Sequence, residues 1–360
     1  MENLGINREF WRDRPVLITG DTGFKGSWLS LWLQSLGARV SGIALEPPTV
    51  PSLFELARVA EGMNHYRVDI RDRARVLEIL KSQSPEVVIH MAAQSLVRLS
   101  YEEPIETYDV NVMGTVKLLD AVRAADCVRA LIVVTSDKCY ENKEWAWGYR
   151  ESDRLGGYDP YSNSKACAEL VTSAYRQSFF SGRSFDGQRV AVASARAGNV
   201  IGGGDWAADR LIPDIVRAFI DEREAVIRNP HAVRPWQHVL EPLRGYILLA
   251  QSLCGDDGQH SSGWNFGPSE DDNRAVDYVA RLFRSEWGRG DLRFGDTGPN
   301  PHEASTLRLD CSKARAMLGW RPSWALDRAI RETARWYLDY ANKVDMREST
   351  LKQIAIYESE

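Results

Sequence analysis

Two short groups of residues carry the types and spacing that chemistry needs. Tyr161 and Lys165 stand four apart in "YSNSK", so a helix there places both on one face. A lysine ammonium beside a phenol favours phenolate and draws its pKa from about 10 towards neutrality. Such a phenol can exchange the proton of an alcohol while a hydride leaves the same carbon. The second group is Ser136, Asp137 and Lys138 in "VVTSDKCYEN". A carboxyl and an amine side by side can serve as acid and base for an elimination, or form a simple surface ion pair.

Such groups need a scaffold. From Pro15 to about Arg196, short apolar runs alternate with helical stretches. Strands are expected at Val16–Gly20, Arg39–Leu45, His65–Ile70, Val87–Ala93, Ala130–Ser136 and Val190–Val200. Helices are expected at Phe24–Leu36, Pro104–Ala125 and Tyr161–Phe180. Continuous apolar strands interleaved with helices predict an α/β fold, a doubly wound parallel sheet of the Rossmann type. Beyond Gly202 the pattern loosens. "GGGDWAADRLIPD" is a glycine-rich loop entering a helix, and helical patterns follow near Glu241–Leu253, Ala275–Trp287 and Trp324–Tyr340. We expect residues 10–200 to form a dinucleotide-binding domain carrying the catalytic groups. Residues 201–345 should form a smaller mixed α/β substrate-binding region, with the chain free to cross between the two. Ligands of such sheets bind at the strands' carboxyl ends.

"TGDTGFKG" holds Gly20, Gly23 and Gly26 between the first strand and first helix. Glycines there allow a tight turn and bring a pyrophosphate to the N–H groups of a helix N-terminus. Asp69, at the end of the third strand, either accepts a hydrogen bond from an adenine amino group or caps the helix starting near Asp72. Glu46 lies where a ribose carboxylate is usual. No arginine follows it directly, which leans towards NAD over NADP, although Arg39 or Arg58 can fold back.

Composition narrows the classes further. The 360 residues include 45 Lys plus Arg and 50 Asp plus Glu, a net charge of −5. No basic block supports nucleic-acid binding. Apolar runs are strand-sized, so no membrane span and no secretory leader are expected. Cys127, Cys139, Cys167, Cys254 and Cys311 are scattered without metal or redox spacing, which predicts no metal and a reducing cytoplasm. The 12 tryptophans serve either the core or a binding surface.

Taken with "ALEPPTVPSLFE", "HMAAQ", "SDKCYEN", "YDPYSNSKACAE", "RAGNVIGGGDWAADRLIPD", "RPWQHVLEP", "NFGP" and "HEASTLRLDCSKARAMLGWRP", the glycine and Y-x-x-x-K motifs resemble the extended short-chain dehydrogenase/reductase superfamily. The Phe24-Lys25 and Asp137-Lys138 pairs make the chain similar to one group within it, the CDP-glucose 4,6-dehydratases. The resemblance spans nearly the whole chain and implies a hydro-lyase. NAD, held at Gly20, Thr22, Gly23, Phe24, Lys25, Gly26, Asp69, Ile70, Ala92, Ala93, Tyr161 and Lys165, would take the C4 hydride of CDP-glucose while Tyr161 takes the hydroxyl proton. Loss of water across C5 and C6 and return of hydride to C6 would give CDP-4-keto-6-deoxyglucose, for dideoxysugar synthesis.

By the same resemblance Asp137 is the acid at the C6 oxygen and Ser136 a hydrogen-bonding group near the C4 hydroxyl. Lys138 departs from the family pattern, in which a glutamate base is usual. It is either a neutral base for the C5 proton or a cation that stabilises the enolate. Arg234 would clamp the pyrophosphate, and Asn199, at the end of the sixth strand, would meet the sugar nucleotide. His302 and Glu303 either border the site or form a loop ion pair. Trp145 and Trp147 either fold over the sugar or pack their own loop. The helices at 104–125 and 161–180 either form the four-helix interface common in this superfamily, which implies a homodimer or homotetramer, or present a solvent-covered face. Another nucleotide-sugar 4,6-dehydratase or a 4-epimerase is the nearest alternative, and a non-catalytic NAD-sensing protein a more distant one.

Overall fold

The computed structural model describes residues 5–181, 189–255, 258–295 and 306–360. Seven strands form one sheet: β1 (Pro15–Thr19), β2 (Arg39–Ala44), β3 (Asn64–Arg67), β4 (Val87–His90), β5 (Ala130–Val134), β6 (Ala191–Arg196) and β7 (Gly263–Asn265). Their order is β7-β6-β5-β4-β1-β2-β3, and every neighbouring pair is parallel. The chain moves outward from β1 to β3, then returns to the other side of β1 as β4. The crevice left at that reversal lies beside Gly20 and Met91, where an open sheet of this kind binds its ligand.

Burial explains the uniformly apolar strands. β4 and β5 are buried at every position because helices cover both faces. On one face lie α1 (Phe24–Ser35) and, much later in the chain, α2 (Leu240–Gly255), packed in a core that includes Trp11, Trp28, Trp32 and Trp264. The other face packs Leu17, Val88, Leu131 and Val133 against Leu118, Leu119 and Val122 of the helix Gly114–Arg123. Six tryptophans are among the largest fully buried side chains, so the core accounts for much of their number. Trp147 is exposed.

Three departures from the expected elements matter for the site. The long helix at 104–125 is three pieces: Pro104–Tyr108, a π-helical turn Asp109–Met113, and Gly114–Arg123. Such turns gather at functional places, and this one carries Asn111. The sixth strand ends at Arg196 rather than Val200. Asn199 takes a left-handed φ of 45°, which keeps the chain from running extended to Val200. A short pair, Val200–Ile201 with Gln237–His238, then leads the chain away. Finally, residues beyond 201 divide their allegiance: α2 and β7 join the main sheet, while Leu211–Ile220, Val276–Trp287 and Leu326–Ala341 pack with one another beside it.

Candidate active site

The glycine turn is built by backbone proximity. Gly20 has a φ of 77°, and a Cβ there would lie 2.7 Å from Ala92 N. At Gly26 a Cβ would come within 2.0 Å of Gly20 O. Both positions therefore exclude any side chain. Gly23 begins α1 without a side-chain cap, so the first N–H groups of that helix are open to an anion. Thr22 Oγ1 donates to Leu45 O at 3.1 Å and ties the turn to the end of β2. Thr19 Oγ1 accepts from the N–H groups of Met91 and Ala92, both at 3.1 Å, and fixes the Ala92–Ala93 segment opposite. Phe24 and Lys25 are half-buried at the same edge.

Asp69 is not the helix cap; Asp72 is, accepting from Arg75 N. Asp69 is instead gripped by Arg71. Its Oδ1 accepts from Arg71 N and Nε at 2.8 and 3.0 Å, and its Oδ2 from Nη2 at 2.7 Å. These bonds hold the Asp69 carboxyl below its ordinary range. The same guanidinium reaches Glu106 and Asp109, both at 2.8 Å. Ile70 is buried beneath, against Gly114. Glu46 pairs with Arg67 at 2.5 Å, while Arg58 pairs with Asp345 and Arg39 with a backbone carbonyl. Neither Arg39 nor Arg58 folds back on the turn.

The catalytic candidates converge at the ends of β5 and β6. Ser136 caps a single 3-10 turn, Asp137–Cys139, which turns Asp137 inward and leaves Lys138 half-buried. Tyr161 and Lys165 lie on the helix Pro160–Phe179, entered through the Asp159 cap. Tyr161 lies near the Ser136 side chain, which acts on its phenol. Asp137 packs flat against Gly198, where a Cβ would sit 1.9 Å from Oδ2. That Oδ2, and Nδ2 of Asn199 beside it, are buried without a hydrogen-bond partner among the described residues. Orphaned polar atoms of this kind mark a place where a ligand completes the bonding.

One expectation about this pair is corrected. Lys165 donates to Val134 O at 3.3 Å, and the phenol is not drawn towards neutrality. Burial pushes Tyr161 up to about 12, with the Asp137 and Asp159 charges adding to it and Ser136 and Arg210 opposing. Burial also lowers Lys165 to about 8, against the pull of Glu169. Asp137 is raised, by burial first, against the charges of Lys138 and Arg234. Lys25 is lowered to about 7 by burial and by the Lys165 and Arg210 cations, with Asp137 opposing; its Nζ donates to Tyr246 OH at 2.9 Å. The cleft is thus a cluster of mutually repelling cations around one reluctant carboxyl.

Arg234 is buried on the short strand Val233–Pro235, and its charge reaches Asp137. Sequence reasoning quoted the loop holding Arg210 and Asp205 without singling either out. Arg210 ends that loop, binds Asp205 at 2.8 Å and Ser95 Oγ at 3.2 Å, and lies close enough to act on both Tyr161 and Lys25. A cation beside a tight glycine-rich loop was the available signal. Gly198, Arg71 and Asn111 were also missed. Asn111 Nδ2 binds Gln94 O and Ser164 Oγ, both at 2.9 Å, and so joins the π-helical turn to the catalytic helix.

Behind the catalytic turn lies a buried ion pair. Arg196 Nη2 and Nε meet Glu169 Oε2 and Oε1 at 2.8 and 2.9 Å. Thr135 and Ser194 also donate to Glu169. Arg196 Nη1 donates to Tyr140 OH, which donates to Asn265 Oδ1, both at 2.7 Å. This network ties β5, β6, β7 and the Pro160–Phe179 helix together. Trp145 stacks on Tyr149 at 5.4 Å and Tyr149 on Tyr140 at 5.2 Å, so this loop is packed by its own aromatic rings. His302 and Glu303 lie outside the described residues.

The sequence profile of the GDP-mannose 4,6 dehydratase family matches residues 17–333. The chain belongs to this dehydratase family. It is 51% identical over 354 residues, 98% of this chain and 99% of the relative, to a CDP-glucose 4,6-dehydratase of Salmonella typhimurium. In fold it is similar to the dTDP-glucose 4,6-dehydratase of Streptomyces venezuelae solved with NAD, with a TM-score of 0.78 at 23% identity, covering 92% of this chain and 99% of that one. A UDP-glucose-4-epimerase of Stenotrophomonas maltophila with bound NAD gives a TM-score of 0.78 at 23% identity, covering 92% and 100%. The doubly wound parallel α/β architecture expected from the sequence is the one these dehydratases and epimerases share, with a seventh strand, Gly263–Asn265, beyond the six expected.

Proposed function

We propose that this member of the dehydratase family converts CDP-D-glucose to CDP-4-keto-6-deoxy-D-glucose and water, with NAD bound and restored in each turnover. The observation that carries this reading is the Ser136–Asp137–Lys138 turn facing Tyr161, in a chain half identical throughout to a CDP-glucose 4,6-dehydratase. A 4-epimerase needs no buried carboxyl aimed at the sugar, so Asp137 argues against that alternative. A protein that merely senses NAD has no need of Tyr161.

The glycine cradle and the open N-terminus of α1 fit a dinucleotide pyrophosphate. Asp69 and Ile70 fit its adenine, and Ala92, Ala93, Tyr161 and Lys165 fit the nicotinamide half. NAD, when bound there, would supply the hydride acceptor and donor that the oxidation at C4 and reduction at C6 need. Tyr161 removes the C4 hydroxyl proton. The resulting ketone makes the C5 hydrogen acidic, and Lys138 either removes it or, as a cation, stabilises the enolate. Asp137 protonates the departing C6 oxygen; burial, which disfavours its charged form, suits an acid. Arg234 suits the substrate pyrophosphate, and the orphaned Nδ2 of Asn199 suits a sugar or phosphate oxygen. Residues 10–200 would thus hold the cofactor and residues 201–345 mainly the sugar nucleotide.

A homodimer or homotetramer is supported by apolar side chains left bare on the paired helices, with Ile105 85% and Leu170 59% exposed. No helix among the described residues is long and apolar enough to cross a membrane. The described cysteines are all free, in keeping with a cytoplasmic enzyme. The test is incubation with CDP-glucose, dTDP-glucose, UDP-glucose and GDP-mannose, each alone, in deuterated water. A 4-keto-6-deoxy product carrying deuterium at C5 is expected from CDP-glucose. Turnover of a different sugar nucleotide with none of CDP-glucose overturns the substrate assignment.

A further inference from the structure

The Ala92–Ala93 dipeptide, which fits the nicotinamide half of the cofactor, is pinned at both ends. At one end Thr19 Oγ1 accepts from the N–H groups of Met91 and Ala92, both at 3.1 Å. At the other end Asn111 holds Gln94 twice. Its Oδ1 accepts from Gln94 N–H at 2.8 Å, and its Nδ2 donates to Gln94 O at 2.9 Å. Asn111 Nδ2 also donates to Ser164 Oγ at 2.9 Å, and Ser164 donates to the Tyr161 carbonyl at 2.7 Å. The second pin therefore also grips the helix that carries the phenol.

One imidazole connects the two pins. His90 ends β4 and is paired in register with Thr19, which ends β1. Its Nδ1 lies 2.7 Å from Thr19 Oγ1 and its Nε2 3.1 Å from Thr115 Oγ1. Counting hydrogens decides which nitrogen carries the proton. Thr115 Oγ1 lies 2.7 Å from Asn111 O. A carbonyl can only accept, so the one hydroxyl proton of Thr115 is committed there. Thr115 must then accept from His90, which places a hydrogen on Nε2. Thr19 Oγ1 already accepts from two N–H groups, so its own proton points at Nδ1, which must be bare. The chain runs in one direction: Thr19 O–H to Nδ1, Nε2–H to Thr115, Thr115 O–H to Asn111 O. All four residues are buried. A second proton on the ring would leave the Thr19 hydroxyl with no acceptor. Burial, with the Lys165 ammonium adding to it, lowers the imidazole to about 3.

We propose that His90 is a positioning residue for the C4 oxidation: a neutral imidazole, protonated on Nε2, that holds the Ala92–Ala93 dipeptide and the Tyr161 helix in one register. The inference rests on the NAD-dependent dehydratase reading above. A histidine that merely fills a core needs only partners for its two nitrogens. Here each partner also holds a wall of the cleft. Thr19 holds the start of the dipeptide, and Thr115 holds the carbonyl of the residue that fixes its end and reaches the Tyr161 helix. Losing the ring frees the two pins from each other. Hydride transfer depends on the alignment of the reacting groups, whereas dinucleotide affinity draws mainly on the Gly20–Gly26 turn and Asp69. The rate of oxidation should therefore suffer while affinity is largely kept.

Two measurements on the full chain with NAD test this. The first needs no turnover. In nitrogen-15 NMR of histidine-labelled protein, the signal that His90→Gln removes should show a bare Nδ1 and a protonated Nε2. It should not titrate between about pH 5 and 8, where a free imidazole does. A proton on Nδ1, or titration in that range, overturns the proposal. The second measurement follows reduced dinucleotide by rapid-mixing absorbance after CDP-glucose is added, with NAD affinity taken from calorimetry. His90→Leu should slow the oxidation by on the order of 10²-fold, the scale of a misplaced reacting group, and leave most of the NAD affinity. His90→Gln, whose amide offers an acceptor and a donor to the same two hydroxyls, should recover most of the rate. Thr115→Val should be slow like His90→Leu, and Thr115→Ser fast like the parent, so the result stands even if His90→Leu fails to fold. Parental rates in Thr115→Val, His90→Gln no faster than His90→Leu, or a loss of NAD affinity as large as the loss of rate each overturn the positioning role. Failure of the parent to form any reduced dinucleotide counts instead against the dehydratase reading, and the NMR result then judges His90 alone.

Discussion

The two sides of the cleft are built on different principles. On the dinucleotide side, the turn Gly20–Gly26 is positioned by its own backbone: atoms of neighbouring peptides stand where side chains would be. On the sugar side, the groups arrive from four distant segments, at Ser136–Lys138, Tyr161–Lys165, Gly198–Arg210 and Arg234. They are placed by burial and mutual charge rather than by local geometry. The first kind of site fails sterically and all at once. The second kind fails by degrees, one protonation step at a time.

Substitutions can press that contrast. The largest effect is expected at Gly26→Ala, whose methyl group would enter the space of Gly20 O. Dinucleotide binding, measured by calorimetry, should be lost altogether, and overpacking should lower stability by about 1–3 kcal/mol. Retained binding would show that the turn can relax. Next comes Asp137→Asn on the sugar side. Single-turnover absorbance should show reduced dinucleotide forming more slowly and persisting, with dehydration slower by roughly 10²–10⁴-fold, the usual scale for a lost general acid. Dehydration at the parental rate would remove Asp137 from the acid role.

A smaller effect tests how far charge also governs the dinucleotide side. If Arg71 holds Asp69 towards an adenine amino group, the parent should bind NAD about tenfold more tightly than nicotinamide hypoxanthine dinucleotide, a difference of ~1.4 kcal/mol. Arg71→Met should erase most of that preference. An equal loss for both dinucleotides would make Arg71 a purely structural brace. The smallest effect concerns Lys25. The folded protein lowers its pKa from 10.5 to about 7, so between those values the unfolded chain binds the extra proton and stability rises with pH. Lys25→Met removes a penalty that is full below pH 7 and absent near pH 10. Thermal melts without ligand should show a gain on the order of 1 kcal/mol at pH 6 that shrinks by pH 9.5; a constant gain would mean the effect is packing, not charge.

The same contrast explains what could be read from the sequence. Gly20, Gly23 and Gly26 were legible because a local turn leaves a local pattern. Tyr161 and Lys165 were legible because a helix gives i and i+4 a common face, and buried β4 and β5 announce themselves as apolar runs. Arg210 was invisible as an individual residue: nothing near it in sequence says that its charge reaches Tyr161 and Lys25. Lys165 misled for a related reason. Its spacing from Tyr161 is right, but its ammonium is taken by the Val134 carbonyl, and burial outweighs it in setting the phenol. Past the end of β6, Asn199 takes a left-handed φ, a conformation that asparagine tolerates but does not require, and this keeps the chain from running extended to Val200. The spacing of Asp69 fits two roles, and the Asp72 cap removes one of them.

The buried pair Glu169–Arg196 restricts how this scaffold can drift over generations. Losing either member strands the other as an uncompensated buried charge, a cost of about 3–5 kcal/mol and a large share of a typical domain's margin of ~5–15 kcal/mol. A well-packed apolar pair could be as stable, yet every single-step route to it passes through one of those stranded intermediates. Lineages carrying this arrangement are therefore held to it by the valley around it as much as by its merit, and descendants should keep or replace positions 169 and 196 together.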